Sequence, residues 1–336
     1  MRLFLTPVNS VGMDIVVFGA GSLGSLFGGL LAREHDVTLV GREDHVEAID
    51  SSGLRVTAGF EEPPEADPAE IFDFIVHPPV TTDGRTLSAD LAVVTVKAFD
   101  TESGADALAT GSYDVVCSLQ NGMGNEAILA DALDSHVLAG TTTYGALQHE
   151  PGRVECTGLG EVVLGPYEGG TSPEAERVDT AFSTADVDVT VAEDMPRRLW
   201  KKLAVNAGIN AVTALARIPN GEVLEGPAHE LARDAARETA RVARAAGVDL
   251  SDREAVTAVE SVAKATAANT SSMHQDVNER KRTEVDAING YVADRAAELR
   301  EGRATTPADA YEITAPVNRT MASLLRAWES GLDLRA

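Results

Sequence analysis

Aromatic residues make up only 4% of this 336-residue chain, and cysteine occurs twice. No run of roughly 18 uncharged apolar residues occurs, which argues against an ordinary transmembrane helix. The first dozen residues lack the long apolar stretch and small-residue cleavage site of a secretory signal, so a cytoplasmic protein is expected. Cys117 and Cys156 cannot build a disulfide framework; both lie in apolar or strand-like stretches and read as reduced, buried thiols. No Cys/His spacing suits a metal ion, and no metal is expected. Basic residues are scarce: 28 Lys and Arg stand against 53 Asp and Glu, a formal net charge of -25. A chain so poor in positive charge is a poor partner for nucleic acid. Only Lys97, Lys201, Lys202, Lys264 and Lys281 are lysines; the other basic residues are arginine. Abundant carboxylates with little lysine point to a halophilic protein, because concentrated salt screens self-repulsion over a few ångströms.

What is present divides in two. Hydrophobic residues reach 44%, which argues against disorder as the overall state, and the length suits two domains. The first half alternates β-rich runs with helical periodicity, the pattern of βαβ units and a parallel sheet. Ile15 to Phe18 is a continuous apolar run, as a buried parallel strand requires. Leu23, Leu26, Phe27, Leu30 and Leu31 then mark one face of a helix. Further strands are expected at 37–40, 91–96, 115–119, 136–143 and 187–191. Residues 59–88, rich in Pro and acid, read as a surface excursion. From Pro196 onward, Ala-rich helical patterns take over at 196–216, 228–247, 252–268, 272–301 and 308–329. The expectation is a dinucleotide-binding α/β domain over 13–193, an all-helical domain over 194–336, and an N-terminal extension over 1–12. The cleft between two such domains is the expected place for a small molecule.

Gly19-Ala20-Gly21-Ser22-Leu23-Gly24 is G-x-G-x-x-G between an expected strand and an expected helix. The first Gly permits a tight turn, the second a close approach to a pyrophosphate, and the third close helix–strand packing. The helix N-terminus offers free N–H groups and a positive dipole to the phosphates. At the end of the second strand, where an NAD site usually has Asp or Glu, the chain reads Val40-Gly41-Arg42. Arg42 can pair with a 2′-phosphate, so NADPH is expected over NADH.

Polar residues recur where a plain core would be apolar. Lys97 ends a buried strand at the carboxyl edge, where ligands bind in open α/β sheets. Gln120-Asn121-Gly122-Met123-Gly124 ends the next. On the helix that follows Pro196, Lys202 and Asn206 are i and i+4, with Asn210 further round. Ser272 with Gln275 reads as a capping box. Glu284 would lie about 18 Å beyond Ser272 on one straight helix.

With these residues in place, the chain resembles the ketopantoate reductase family. The pieces are GAGSLG at 19–24, VTVKAF at 94–99, LQNGMG at 119–124, GTTTYGA at 140–146, LWKKLAVNAGIN at 199–210, PNGE at 219–222, SSMHQDV at 271–277 and TEVDAINGY at 283–291. The resemblance implies an N-terminal Rossmann domain, a C-terminal helical domain, and NADPH-dependent reduction of ketopantoate (2-dehydropantoate) to pantoate, on the way to coenzyme A. By motif, Lys202 and Glu284 match the family's catalytic lysine and the acidic residue near cofactor and active site. Asn121 matches a residue that touches nicotinamide and substrate. Asn206, Asn210, Asn220 and Ser272 match substrate-binding positions. Lys97, Ala146 and Arg42 match cofactor contacts, alongside Gly19, Ala20, Gly21, Ser22, Leu23 and Gly24. Tyr144 stands where some members carry His.

The chemistry agrees with the residues. Reducing a 2-oxo acid needs a hydride donor and a proton for the nascent alkoxide. The nicotinamide gives the first and a protonated lysine the second, its charge also stabilising the developing oxyanion. Glu284 is expected to hold Lys202 by an ion pair. Two alternatives stay open at this point: a reductase of another branched 2-oxo acid, or a non-catalytic NADPH-binding regulator on the same fold. A small-molecule substrate is expected, without a membrane partner; the apolar helical half suggests a homodimer.

Overall fold

The computed structural model describes residues 12–59, 72–303 and 313–335. Apart from Gly12, the expected N-terminal extension lies outside the described residues, as do positions 60–71 of the expected excursion. By density of contacts the chain forms two units. The first comprises the described residues of Met1–Val96, Asp100–Gln120 and Glu126–Glu193; the second comprises those of Lys97–Phe99, Asn121–Asn125 and Asp194–Ala336.

The first unit is a Rossmann-type α/β fold. Its main sheet contains β1 (Asp14–Phe18), β2 (Asp36–Val40), β5 (Val80–Thr81), β6 (Ser88–Val94), β7 (Ser112–Ser118), β8 (His136–Thr142), β11 (Val162–Pro166) and β12 (Val189–Val191). The strand order is β12-β11-β8-β7-β6-β1-β2-β5. Only β11 against β8 is antiparallel; the other neighbouring pairs are parallel. Alternation along the strands feeds two cores. Ile15 and Val17 of β1 join one, with Leu26, Phe27 and Leu30 of α1 (Ser22–Leu31). Val16 and Phe18 join the other, with Ala105 and Leu108 of α3 (Thr101–Leu108).

A second sheet departs from the expected picture. It contains β3 (Leu54–Ala58), β4 (Phe74–Val76), β9 (Gly145–Glu150) and β10 (Arg153–Gly158), in the order β4-β3-β10-β9. The 59–88 stretch therefore supplies β4 to this sheet and β5 to the main one. The second sheet packs its Leu54, Val56, Val154 and Cys156 into the core that holds α1. The helix is therefore buried on both sides, at eight of its ten residues, and not on the single face its periodicity predicts. Gly28 and Gly29 permit the double approach: a Cβ on them would lie 2.4 Å from Leu39 Cδ2 and 2.6 Å from Val56 Cγ2. Both cysteines are buried and unpaired with each other. Burial, with Glu126 nearby, pushes the Cys117 thiol up to about 12; burial pushes Cys156 up to about 11. Tyr144 is an anchor of this unit: its ring meets Phe27 edge-on at 5.5 Å and its hydroxyl accepts from the Asp188 amide.

The second unit is helical, built round α6 (Met195–Ala216). Around it lie α7 (Gly226–Ala245), α8 (Asp252–Ala265), α9 (Ser272–Asn278), α10 (Tyr291–Arg303) and α11 (Pro316–Ser330). Alanines carry much of the contact, with Ala204, Ala207 and Ala211 of α6 packed in one core with Ala232, Ala235 and Ala236 of α7. Such small side chains let helix backbones come close. Glu238 of α7, itself buried, accepts from the amides of Val317 and Asn318 and so caps α11. The part of the expected 308–329 helix that falls on 304–312 lies outside the described residues.

The expected single helix over 272–301 is three pieces. The helix α9 stops at Asn278, Arg280 takes a left-handed φ of 54°, and a π-helical turn, Asp286–Gly290, precedes α10. Hydrogen bonds from Thr283 to Glu329 on α11 hold the chain away from a continuous helix. Glu284 is thus on a turn, and the 18 Å spacing from Ser272 does not hold. Nor is Ser272 the cap of α9: Ser271 is, its hydroxyl accepting from the His274 amide, while Gln275 donates to the Thr270 carbonyl.

Candidate active site

In the first unit, the turn after β1 is set by its glycines. Gly19 has φ of 114°, and a Cβ there would lie 2.6 Å from the Val96 nitrogen. A Cβ on Gly24 would lie 2.2 Å from the Gly19 oxygen and 2.5 Å from Thr95 Oγ1. Nothing lies within 4 Å of a Cβ on Gly21. Gly19 and Ala20 both donate to the Val40 carbonyl, and Thr95 donates to the Gly19 carbonyl, so the turn is tied to two strands. No side chain caps α1 and no carboxylate stands in its first turn. A rigid turn, open space at Gly21 and an uncapped helix N-terminus fit a dinucleotide pyrophosphate.

The same helix is fixed by a buried histidine. His45 of α2 (Glu43–Ser52) accepts at Nδ1 from the Gly152 amide. Gln148 Nε2 lies 2.9 Å from that atom and Ser25 Oγ lies 2.9 Å from Nε2. An accepting Nδ1 assigns the proton to Nε2, which then donates to Ser25. The Gln148 amide also donates to Ser22 Oγ. Burial lowers the His45 pKa below its usual 6.5, more than Asp44 raises it. The unfolded chain therefore binds a proton first as pH falls, and the stability contributed by neutral His45 is present above about pH 6.5 and lost below it. We expect the melting temperature to fall more steeply between pH 7 and pH 5 in the native protein than in His45→Gln. Equal slopes in thermal melts would show that His45 contributes nothing to this dependence.

Arg42 sits at the N-cap of α2, where its carbonyl accepts from the Val46 amide; its side chain is exposed and has no hydrogen bond or ion pair among the described residues. Its neighbour Gly41 lies against the glycine turn: a Cβ there would be 3.1 Å from that of Ala20. Leu23 and Ala146 are half-buried, the latter on β9.

In the second unit, an ionic cluster surrounds Lys97. Its ammonium lies 2.9 Å from Asp276 and 3.5 Å from Glu284. The other oxygen of Glu284 accepts from the Ala98 amide at 3.1 Å, and the Arg282 guanidinium lies over the Phe99 ring at 4.4 Å. Beyond the expected pairing with Lys202, the structure places Lys97 beside Glu284. Burial opposes the Lys97 charge, but Glu284 and Asp276 together outweigh it and raise the pKa, so the ammonium persists. Burial pushes the Asp276 carboxyl up in spite of Lys97. Asp276 escaped the sequence reading because it sits inside what reads as a helix-start motif.

The 121–125 loop joins the same unit. Met123 donates to the Ala287 carbonyl, and Asn125 donates to the carbonyl of Asn121. Gly122, with φ of 87°, packs where a Cβ would lie 2.5 Å from that of Ala287. Lys202 and Asn206 are half-buried on α6, and Asn210 is 8% exposed. Thr213, one turn on, donates to the Asn210 carbonyl and shares a hydrogen bond with Ser271, which brings the start of α9 to α6. Ser272 itself is exposed. Asn220 is buried; its amide nitrogen donates to Thr266, and its Oδ1 has no partner among the described residues. Such an acceptor suits a substrate hydroxyl.

A Rossmann-type unit with an open glycine turn and a helical unit that carries all five lysines, with Asn and carboxylate side chains beside them, define an oxidoreductase of the nucleotide-binding class. Comparison with known proteins narrows this. Residues 15–169 match the family model described as "Ketopantoate reductase PanE/ApbA", and 194–329 its C-terminal counterpart. A 2-dehydropantoate 2-reductase of Halobacterium salinarum is 41% identical over 320 residues, covering 94% of this chain and 98% of that one. A solved ketopantoate reductase of Ralstonia eutropha aligns with a TM-score of 0.81 at 31% identity, over 96% of this chain and 100% of that one. D-mandelate dehydrogenase, solved with NADH and anilino(oxo)acetate, shares the fold with a TM-score of 0.82 at 22% identity, over 96% and 100%. The chain belongs to the ketopantoate reductase family. No described helix is long and apolar enough to cross a membrane.

Proposed function

We propose that, in the reduction of 2-dehydropantoate to pantoate that this chain catalyses, NADPH is the hydride donor and Lys202 the proton donor. The reading is supported by two observations, each within its own unit: an open glycine turn beside an Arg42 side chain without a partner among the described residues, and a helix that carries Lys202, Asn206 and Asn210. The turn and the N-terminus of α1 take the pyrophosphate, and Arg42 takes the 2′-phosphate. When bound, the nicotinamide supplies a hydride to the keto carbon. Lys202 hydrogen-bonds the keto oxygen and gives it a proton, so that the product is the secondary alcohol; the amine regains its proton from solvent. Its positive charge stabilises the oxygen as negative charge develops. Asn206, Asn210 and Asn220 bind the hydroxyl and carbonyl of the substrate, and Ser272 its carboxylate. Lys97, Asn121 and Ala146 contact the cofactor, and Glu284 holds Lys97 and the backbone at Ala98. The protein works as a cytoplasmic enzyme, and the apolar helical half supports a homodimer.

The test follows loss of reduced-nicotinamide absorbance in concentrated KCl, with 2-dehydropantoate and either NADPH or NADH. Turnover with NADPH at a markedly higher kcat/KM than with NADH is the expected result. Equal use of NADH would overturn the cofactor assignment. Turnover confined to other 2-oxo acids would overturn the substrate assignment.

A further inference from the structure

Gly331 to Arg335 follow α11 in chain order and lie far in sequence from every motif that defines the site. Yet Arg335 reaches the segment that carries Glu284. One guanidinium nitrogen of Arg335 donates to Asp286 at 2.6 Å, and the other donates to Glu329. Glu329 is fully buried at the end of α11, and its second oxygen accepts from both the amide and the hydroxyl of Thr283, at 2.8 and 2.6 Å. Asp286 is held further by Arg326 at 2.7 Å and by Arg282 at 3.6 Å. Thr283 and Asp286 flank Glu284 in the chain. A single planar cation thus bridges Glu329, which grips Thr283, and the carboxylate of Asp286, one on either side of Glu284, a geometry that the guanidinium fork provides and an ammonium does not. The tail is itself shaped for this: Leu332 and Leu334 donate to the Glu329 carbonyl, and Asp333 takes a left-handed φ of 57°.

The consequence reaches both loops of the cluster. Glu284, aimed from this braced turn, meets Lys97 and the Ala98 amide. Ala287, next to Asp286, accepts from Met123 of the 121–125 loop. Arg282, bound to Asp286, lies on Phe99. We propose that Arg335 is a positioning residue for Glu284: through Glu329 and Asp286 it fixes the turn from which Glu284 orders the Lys97–Phe99 segment. This rests on the reading of Glu284 given above.

Removing Arg335 alone would leave Glu329 buried without its cation, which destabilises in its own right. The decisive variant is therefore Glu329→Gln/Arg335→Ala, which removes both charges and leaves an amide oxygen to accept from Thr283. Melting temperature and NADPH-dependent turnover are measured on the full chain, with Arg335→Lys and Glu284→Gln alongside. In the folded double variant we expect kcat to fall about 10-fold, within the range that sub-ångström to ångström misplacement produces. KM for 2-dehydropantoate changes little, because the substrate-binding Asn and Ser side chains are untouched. Arg335→Lys recovers part of kcat; it also decides the matter on the same readout if the double variant does not fold. Native kcat in the folded double variant, or a loss that only tracks the unfolded fraction, overturns the proposal. If Glu284→Gln turns over normally, the reading of Glu284 fails, and the positioning role fails with it. If Glu284→Gln is impaired while the double variant is not, the positioning role alone fails.

Discussion

Lys202→Ala loses kcat by about 10²–10⁴-fold, the scale of a general acid, while NADPH binding persists. The loss corresponds to about 3–5.5 kcal/mol of transition-state stabilisation. Its size follows from the two tasks placed on one ammonium, proton donation and charge stabilisation. Lys202 lies on a 22-residue helix, and alanine is the best helix former, so the substitution leaves the helix intact. Asn206 and Asn210 remain to bind substrate, so KM moves less than kcat. Steady-state turnover, combined with NADPH binding read by its fluorescence, separates the two effects. A variant that binds NADPH and turns over at the native rate would remove Lys202 from the chemistry.

Arg42→Ala raises the KM for NADPH by about 10- to 100-fold and leaves that for NADH nearly unchanged. A hydrogen-bonded charge pair contributes about 1.5–3 kcal/mol, and each 1.4 kcal/mol is tenfold in affinity. Structural damage is not expected: the Arg42 side chain caps nothing and has no hydrogen bond or ion pair among the described residues, and its backbone bond to Val46 survives the substitution. The comparison must be made at one salt concentration, since screening reduces the contribution of an exposed pair. Parallel changes in the two KM values would assign Arg42 to the shared part of the cofactor, or to none of it.

The βαβ start of the chain was legible because its two periodicities are strong and unmixed: Ile15–Phe18 has no polar interruption, and the leucines of α1 recur in register. Its all-round burial was not, since that depends on β3, β10 and β9, whose polar, alternating residues carry a weak strand signal. Positions 272–301 misled for a different reason. No Gly or Pro interrupts them before Gly290, so local sequence reads as helix throughout. The break is made by Glu329, 46 residues beyond Thr283, and a side chain so distant in the chain leaves no local trace. The contact of Glu284 with Lys97, 187 residues away, is unmarked in the local sequence for the same reason. Motif spacing picks out which residues carry polar chemistry; it does not say which of them meet.

One consequence of the lysine distribution concerns chemical reactivity. Of five primary-amine side chains, Lys201, Lys264 and Lys281 are exposed, Lys202 is half-buried on α6, and Lys97 is enclosed by two carboxylates. In most proteins an acylating reagent labels dozens of surface amines, and its stoichiometry says little about any one of them. Here only three exposed lysines compete for such a reagent, so two of its five side-chain targets are the residues proposed to meet cofactor and substrate. Amine labelling, ordinarily a blunt instrument, becomes in this molecule a probe of five known positions, each of which can be followed by itself.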